Sequence, residues 1–182
     1  MTSLKLVEAT PEYAEQVWRF RQEVFDYDNN NESQFAGCLS LDEAASAEEW
    51  IRWCQLRTSK ETCEQTRVDV PSTTYFAIRK KDNRLVGIID LRHHINHPIL
   101  GTWGGHCGYT VRPSERGYGY AKEMLRLNLN NAKGLGIDKL LITCHSENTA
   151  SEKTILANDG IYEKTIIVDG TKIKRYWITV EK

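Results

Sequence analysis

The sequence lacks the features that mark membrane, secreted and nucleic-acid-binding proteins. Its 24 Lys and Arg residues nearly balance 25 Asp and Glu residues, so the net charge is -1 and no basic footprint for nucleic acid is present. No long apolar run follows the N-terminus, so we expect neither a signal peptide nor a membrane span, and a cytoplasmic location. The five cysteines are odd in number and contain no Cys-x-x-Cys, which indicates reduced thiols.

Two common phosphate-binding motifs and the usual zinc motifs are also absent. No Gly-x-x-x-x-Gly-Lys-Ser/Thr occurs, and Gly117-Tyr118-Gly119 lacks the third glycine of the dinucleotide fingerprint. The histidines between Arg92 and Pro98 are accompanied by neither Cys-x-x-Cys nor His-Glu-x-x-His. We therefore interpret that segment as a polar loop at a strand end and expect no metal.

What is present is the composition of an ordinary globular domain. Of the 182 residues, 40% are hydrophobic and 27% are charged, which is enough to build one core. No internal repeat or linker divides the chain. We predict a single domain over residues 1–182.

The most informative stretch runs from Gly105 to Ala121 and predicts a strand, a turn and a helix. Residues 106–111 suit a strand, and Pro113 and two glycines favour a tight turn. Apolar residues from Ala121 onward then recur every three or four positions, as in an amphipathic helix. A helix that begins after a glycine turn presents backbone N–H groups to an anion, and Arg116 adds a guanidinium. The alternative is an ordinary tight turn with a helix cap.

Other patterns place the remaining elements. Helices are predicted after Thr10-Pro11 and after the capping box Ser46–Glu49, with a polar loop over 28–32. Asp169-Gly170 lies between two alternating runs and predicts a β-hairpin. Strands are predicted at 4–8, 74–79, 85–91 and 139–144, with a short helix before Gly160.

The pattern Arg116-x-x-Gly119-x-Ala121 after Val111-x-Pro113 resembles the acetyl-coenzyme A signature of the GCN5-related N-acetyltransferase (GNAT) family. Asn148, leaving the strand at 139–144, occupies the position of that family's pantetheine-binding asparagine. The resemblance covers nearly the whole chain and is most specific between Gly104 and Gly160. The chain also looks like a bacterial subgroup of predicted acetyltransferases.

The resemblance implies an α+β fold, the single-domain acyl-CoA N-acyltransferase fold, in which helices flank a central splayed mixed β-sheet. Acceptor-side helices would lie at about 10–57 and the acetyl-CoA-binding core at about 104–162. Acetyl-CoA is the implied co-substrate. The implied cofactor-binding residues are Tyr109, Thr110, Val111, Arg116, Gly117, Tyr118, Gly119, Tyr120, Ala121, Asn148 and Ser151.

The implied reaction is transfer of the acetyl group to a primary amine of a small molecule or peptide. By analogy with the family, backbone N–H groups between Cys107 and Tyr109 would polarise the thioester carbonyl. A protonated amine cannot attack, so a group must accept its proton, and His106 and His94 are the candidates. Each is equally readable as a structural histidine.

The family often places a tyrosine on the helix after the asparagine, but Thr154-Ile155-Leu156 stands there. Ser151 is either the replacement acid or a helix cap. From this we expect a single Tyr→Phe change at Tyr109, Tyr118, Tyr120 or Tyr162 to lower kcat less than about tenfold, below the usual range for a general acid.

A different class of function would fit the same cofactor-binding residues: a non-catalytic module that binds or senses coenzyme A. An assay of thiol release with a panel of amines separates the two, because a binding module releases no thiol. For the assembly, the sequence allows a monomer or a homodimer.

Overall fold

The computed structural model describes residues 3–28 and 35–180, so most of the predicted polar loop over 28–32 lies outside the described residues. The strands are β1 (Leu4–Glu8), β2 (Ser72–Arg79), β3 (Arg84–Arg92), β4 (Tyr109–Val111), β5 (Lys139–His145), β6 (Ile161–Val168) and β7 (Thr171–Thr179). The helices are α1 (Ala14–Tyr27), α2 (Ala47–Leu56), α3 (Lys60–Cys63), α4 (Tyr120–Gly134) and α5 (Thr149–Leu156). No helix in the described part of the chain is long and apolar enough to cross a membrane.

The first four strands form an antiparallel sheet in the order β1-β2-β3-β4. Helices α1 and α2 cover one face, where Phe20 and Trp50 pack with Phe76, whose ring stacks on the indole at 6.1 Å. Ser46 caps α2 by accepting from the N–H of Glu49, as its capping box predicts. Trp50 is fully buried, so it belongs to the core.

The last three strands form a second antiparallel sheet in the order β5-β7-β6. The β6–β7 hairpin turns at Asp169 and Gly170, with φ angles of 47° and 81°, as the Asp-Gly pair predicts. Alternate β5 residues, among them Leu140 and Ile142, face a core that includes Leu125 of α4 and Ile155 of α5.

The two sheets meet at one end and diverge at the other. The N–H of His106 donates to the carbonyl of Leu141 at 2.8 Å, and no β-ladder joins β4 to β5 among the described residues. Gly105, at φ +69°, lies just before the predicted strand, and β4 covers only 109–111 of the expected 106–111. The predicted splayed sheet flanked by helices is confirmed, and all the strand ladders that the structure describes are antiparallel.

Candidate active site

A cavity of about 740 Å³ opens where the two sheets diverge. Its walls come from β4, the turn at 116–121, the end of β5 with the start of α5, and Trp103 in the β3–β4 connection. The predicted cofactor-binding residues therefore meet around one space. Tyr118 is the exception, since its side chain is 72% exposed and is not part of the lining.

The turn before α4 has the geometry that its sequence predicts. Gly117 and Gly119 have φ angles of +82° and +80°, a conformation that other residues rarely adopt. Gly119 is the N-cap of α4, and no side chain caps the helix. The first-turn N–H groups of a 15-residue helix therefore lie beside the cavity, which suits an anionic group.

Arg116 departs from its predicted arrangement. Its Nη1 donates to Asp28 Oδ1 at 2.8 Å, its Nη2 donates to Asp28 Oδ2, and its Nε donates to the carbonyl of Val111 at 3.2 Å. The hydrogen bonds that Arg116 donates to Asp28 raise the pKa of Arg116. The guanidinium thus ties the end of α1 to the turn at 116–121, and its Nη1–Nη2 edge is engaged by a carboxylate of the chain itself.

The backbone of β4 offers N–H groups to the cavity, but not from all of the predicted residues. The N–H of Gly108 donates to Asp90 Oδ1 at 2.6 Å, and the N–H of Arg112 donates to Val86 O. Both point towards β3. Because successive N–H groups of a strand point to opposite sides, those of Tyr109 and Val111 are directed into the gap between the sheets.

Two hydroxyl groups meet inside the cavity. Tyr109 Oη and Ser151 Oγ are 2.8 Å apart, and both residues belong to the lining. Burial raises the pKa of Tyr109, so its hydroxyl keeps its proton. Asn148 caps α5, with its Oδ1 accepting from the N–H of Ser151 at 3.0 Å, and it also lines the cavity. Asn148 is therefore the helix cap of α5, and its Nδ2 amide is the group that remains for a ligand.

The histidines fall in different places from those predicted. His106 is buried, and its Nδ1 accepts from the N–H of Leu141 at 2.9 Å, while burial lowers its pKa to about 4. His94 is exposed, and neither His106 nor His94 lines the cavity. His145, at the end of β5, does line it. Sequence reasoning missed His145, although its position three residues before Asn148 was available as a signal.

Two lysines also line the cavity. Lys122 is in the first turn of α4 and Lys153 is in α5. Among the described residues, no group of three or more His, Cys, Asp or Glu side chains is arranged to hold a metal ion.

A family model described as an acetyltransferase (GNAT) domain matches residues 3–159. The chain belongs to the GNAT acetyltransferase family. This confirms the predicted family and enzyme class, an acetyl-CoA-dependent N-acetyltransferase. No curated protein matches this GNAT chain significantly in sequence.

Solved GNAT structures share the fold at low sequence identity. RimL, a ribosomal L7/L12 alpha-N-protein acetyltransferase solved with coenzyme A in disulfide linkage to a cysteine, is 17% identical with a TM-score of 0.68, over 99% of this chain and 96% of its own. The Salmonella typhimurium acetyl transferase that modifies the N-terminal serine of L7/L12 is 17% identical, with a TM-score of 0.66 over 100% and 97%. The yncA protein of the same organism, solved with acetyl-CoA, is 10% identical, with a TM-score of 0.62 over 99% and 95%.

Proposed function

We propose that the cavity between the two sheets binds acetyl-CoA and that the protein acetylates a primary amine of a small molecule or peptide there. One observation carries the proposal. The uncapped N-terminus of α4 and the Tyr109–Ser151 hydroxyl pair line the same cavity, so an anion site and a proton-donating pair serve one ligand. Acetyl-CoA supplies the activated acetyl group.

The cofactor would be held by groups that the fold already directs into the cavity. The first-turn N–H groups of α4, with Lys122 and Lys153 beside them, suit its phosphates. The N–H groups of Tyr109 and Val111 and the Nδ2 amide of Asn148 suit the amide groups of its pantetheine arm. Of these, the N–H of Tyr109 is the donor that we assign to the acetyl carbonyl.

Proton transfer is assigned to two separate places. His145 lies in the lining and is proposed to accept the proton of the amine, in place of His106 and His94. The Tyr109–Ser151 pair is proposed to donate a proton to the departing thiolate, because both hydroxyls are protonated at neutral pH and hydrogen-bonded to each other. This replaces the family tyrosine that Ile155 displaces.

The acceptor is proposed at the level of a primary amine. RimL acts on the alpha-amine of a protein, and the Salmonella enzyme on an N-terminal serine, which supports a peptide amine as one class to test. A cytoplasmic location and a monomeric or homodimeric state also belong to the proposal.

Cofactor binding is tested by Gly119→Asp, with Gly136→Asp as the matched control. Both glycines have a left-handed φ and open space around the missing side chain, but Gly119 precedes α4 beside the cavity and Gly136 follows the far end of that helix. We expect Gly119→Asp to abolish coenzyme A binding in calorimetry, because a carboxylate would occupy the anion site. Equal affinity for coenzyme A in both variants would refute the assignment of the cofactor site to the turn before α4.

Turnover is tested by thiol release with an amine panel. His145→Ala should lower kcat roughly a hundredfold, since a positioned base typically contributes that much or more. His94→Ala, outside the lining, should keep the parent rate. If coenzyme A binds but no amine causes thiol release, the binding-module alternative is right.

A further inference from the structure

The connection between β3 and β4 brings Trp103 to the edge of the cavity. A π-helical turn over Leu100–Gly104 forms there, in which Gly104 N donates to Ile99 O at 2.9 Å and Gly105 N to Leu100 O at 2.8 Å. Such turns are rare in proteins, and many of those that occur lie at functional sites. Trp103 lines the cavity and remains 40% exposed.

Three side chains from three strands fix the backbone around Trp103. Thr143 Oγ1 of β5 donates to the carbonyl of Trp103 at 2.5 Å. Arg92 Nη1 of β3 donates to Gly104 O at 2.7 Å, and Arg175 Nη1 of β7 donates to Gly101 O at 2.9 Å. Arg175 is buried. The backbone that carries Trp103 is therefore held in place, and its indole presents a large, partly exposed apolar surface to the cavity.

Trp103 and the cofactor-binding helices lie on opposite faces of the second sheet. Along β5, Leu140, Ile142 and Cys144 pack in the core that α4 and α5 help to form. Thr143, which bonds Trp103, therefore faces the other way, because side chains alternate along a strand. His145 points to the same side as Thr143. The proposed base and Trp103 thus lie on the same face of β5.

The charges of the cavity restrict which amine suits this side. The lining carboxylates are Asp28 and Glu115. Asp28 is paired with Arg116, and Glu115 is 2.6 Å from Arg79 and 2.7 Å from Arg84. Among the described lining residues, no carboxylate remains for a second positive charge, and Arg92 is itself part of the lining.

We propose that Trp103 determines acceptor specificity by packing against an apolar group, aromatic or branched, that lies next to the reacting amine. The acceptor carries no second positive charge, so polyamines are poor substrates. This inference rests on the proposed function.

The test compares Trp103→Ala and Trp103→Phe in the full chain. The acceptors are 2-phenylethylamine, ethylamine and 1,4-diaminobutane, each with acetyl-CoA. Ile99→Ala is the control, because Ile99 is 46% exposed in the same connection and lies outside the lining. Calorimetry with coenzyme A present also gives the affinity for N-acetyl-2-phenylethylamine, which reports on the apolar contact without turnover.

We expect Trp103→Ala to raise KM for 2-phenylethylamine about fivefold to tenfold, the worth of an aromatic contact, with kcat nearly unchanged. Trp103→Phe should recover most of the loss. Ethylamine kinetics, the Kd for coenzyme A and the Ile99→Ala enzyme should stay at parent values, and 1,4-diaminobutane should be a poorer substrate than 2-phenylethylamine.

An unchanged KM and product affinity in Trp103→Ala would overturn the inference. A parallel loss of coenzyme A affinity would overturn it too, by assigning Trp103 to the cofactor. If no amine releases thiol in any enzyme, the proposed function fails and Trp103 has no role in acceptor specificity. Weaker binding of the acetylated amine by Trp103→Ala alone would then show only that Trp103 makes the apolar contact.

Discussion

His106 joins the two sheets as a neutral side chain. It donates its backbone N–H to Leu141 O and accepts the N–H of Leu141 on Nδ1, so protonation of Nδ1 would break the second bond. Burial lowers its pKa to about 4, against about 6.5 for an ordinary histidine. This arrangement favours a structural role at the junction over proton transfer, which the exposed or cavity-lining histidines could perform more readily.

The first prediction follows from that pKa. Between about pH 6.5 and pH 4 the unfolded chain binds a proton at His106 that the folded chain does not, so stability falls as the pH falls. The full effect on the free energy of unfolding is roughly 3 kcal/mol. We expect the free energy of unfolding of the parent protein to exceed that of His106→Asn by a margin that narrows from pH 7 to pH 5, measured with denaturant. A margin independent of pH would contradict the prediction.

Tyr109 and Ser151 carry the second prediction, which revises the small effect expected from sequence for Tyr109→Phe. Their hydroxyls are 2.8 Å apart in the cavity, so each change removes one half of a donor pair. We expect Ser151→Ala and Tyr109→Phe each to lower kcat about tenfold to a hundredfold, with the Kd for coenzyme A nearly unchanged.

Tyr162→Phe is the control for that experiment. Tyr162 bonds Thr165 at 2.9 Å in a similar hydroxyl pair on exposed β6, outside the cavity. Its kcat should equal that of the parent. If Tyr109→Phe also leaves kcat unchanged, the small effect expected from the sequence is right, and Ser151 acts without Tyr109.

At the scale of elements, the segment before α2 is held against β4 by a close approach of two glycines. A Cβ at Gly37 would lie 2.2 Å from Gly108 O, and Gly37 also has φ +77°. Next to it, Thr110 Oγ1 donates to Ala36 O at 2.8 Å. The segment before α2 is thereby fixed to the strand that carries Tyr109.

The third prediction is that Gly37→Ala destabilises the protein by about 3 kcal/mol or more, because the backbone of Gly108 must move. Gly136→Ala has the same left-handed strain, at φ +72°, but nothing within 4 Å of the new methyl group. It should cost only about 1–2 kcal/mol in denaturant unfolding. Equal losses of unfolding free energy in the two variants would show that only the left-handed backbone strain, and not the contact with Gly108, matters at Gly37.

Elements with strong local patterns were predictable from sequence, and tertiary contacts account for the rest. The Asp169-Gly170 hairpin, the Ser46 cap and the glycine turn before α4 depend on nearby residues, and all three form as predicted. The ion pair between Arg116 and Asp28 joins residues that are 88 positions apart in the sequence, so no local pattern encodes it.

The β3–β4 connection also depends on contacts between residues that are distant in sequence. The histidine segment forms the polar loop at a strand end that the sequence predicts, but it continues into a π-helical turn over Leu100–Gly104. The carbonyls of that turn are held by Arg92, Thr143 and Arg175. These donors come from three strands that are far apart in sequence. For the same reason, the sequence does not reveal that β4 is shortened, that His106 faces β5, or that neither His106 nor His94 lines the cavity.

At the scale of the molecule, α4 unites the two sheets around the cavity. Met124 packs against the first sheet, beside Val86 and Ile89, while its neighbour Leu125 packs against the second, beside Leu140 and Ile142. Tyr109 contacts both cores. Because one helix contributes to both, we expect the sheets to unfold in a single cooperative transition although no ladder joins β4 to β5.

The fourth prediction concerns that transition. A ligand that binds only the folded protein at a hundred times its Kd adds about 2.7 kcal/mol, which for a chain of this length corresponds to roughly 5–10 °C in Tm. We expect coenzyme A to raise the Tm of the parent and of Gly136→Asp by this amount in calorimetry and to leave Gly119→Asp unshifted. The melt should keep one peak, because the ligand contacts β4, α4, β5 and α5 together. Two peaks, of which coenzyme A moved only one, would show that the sheets unfold separately and that the cavity belongs to one of them.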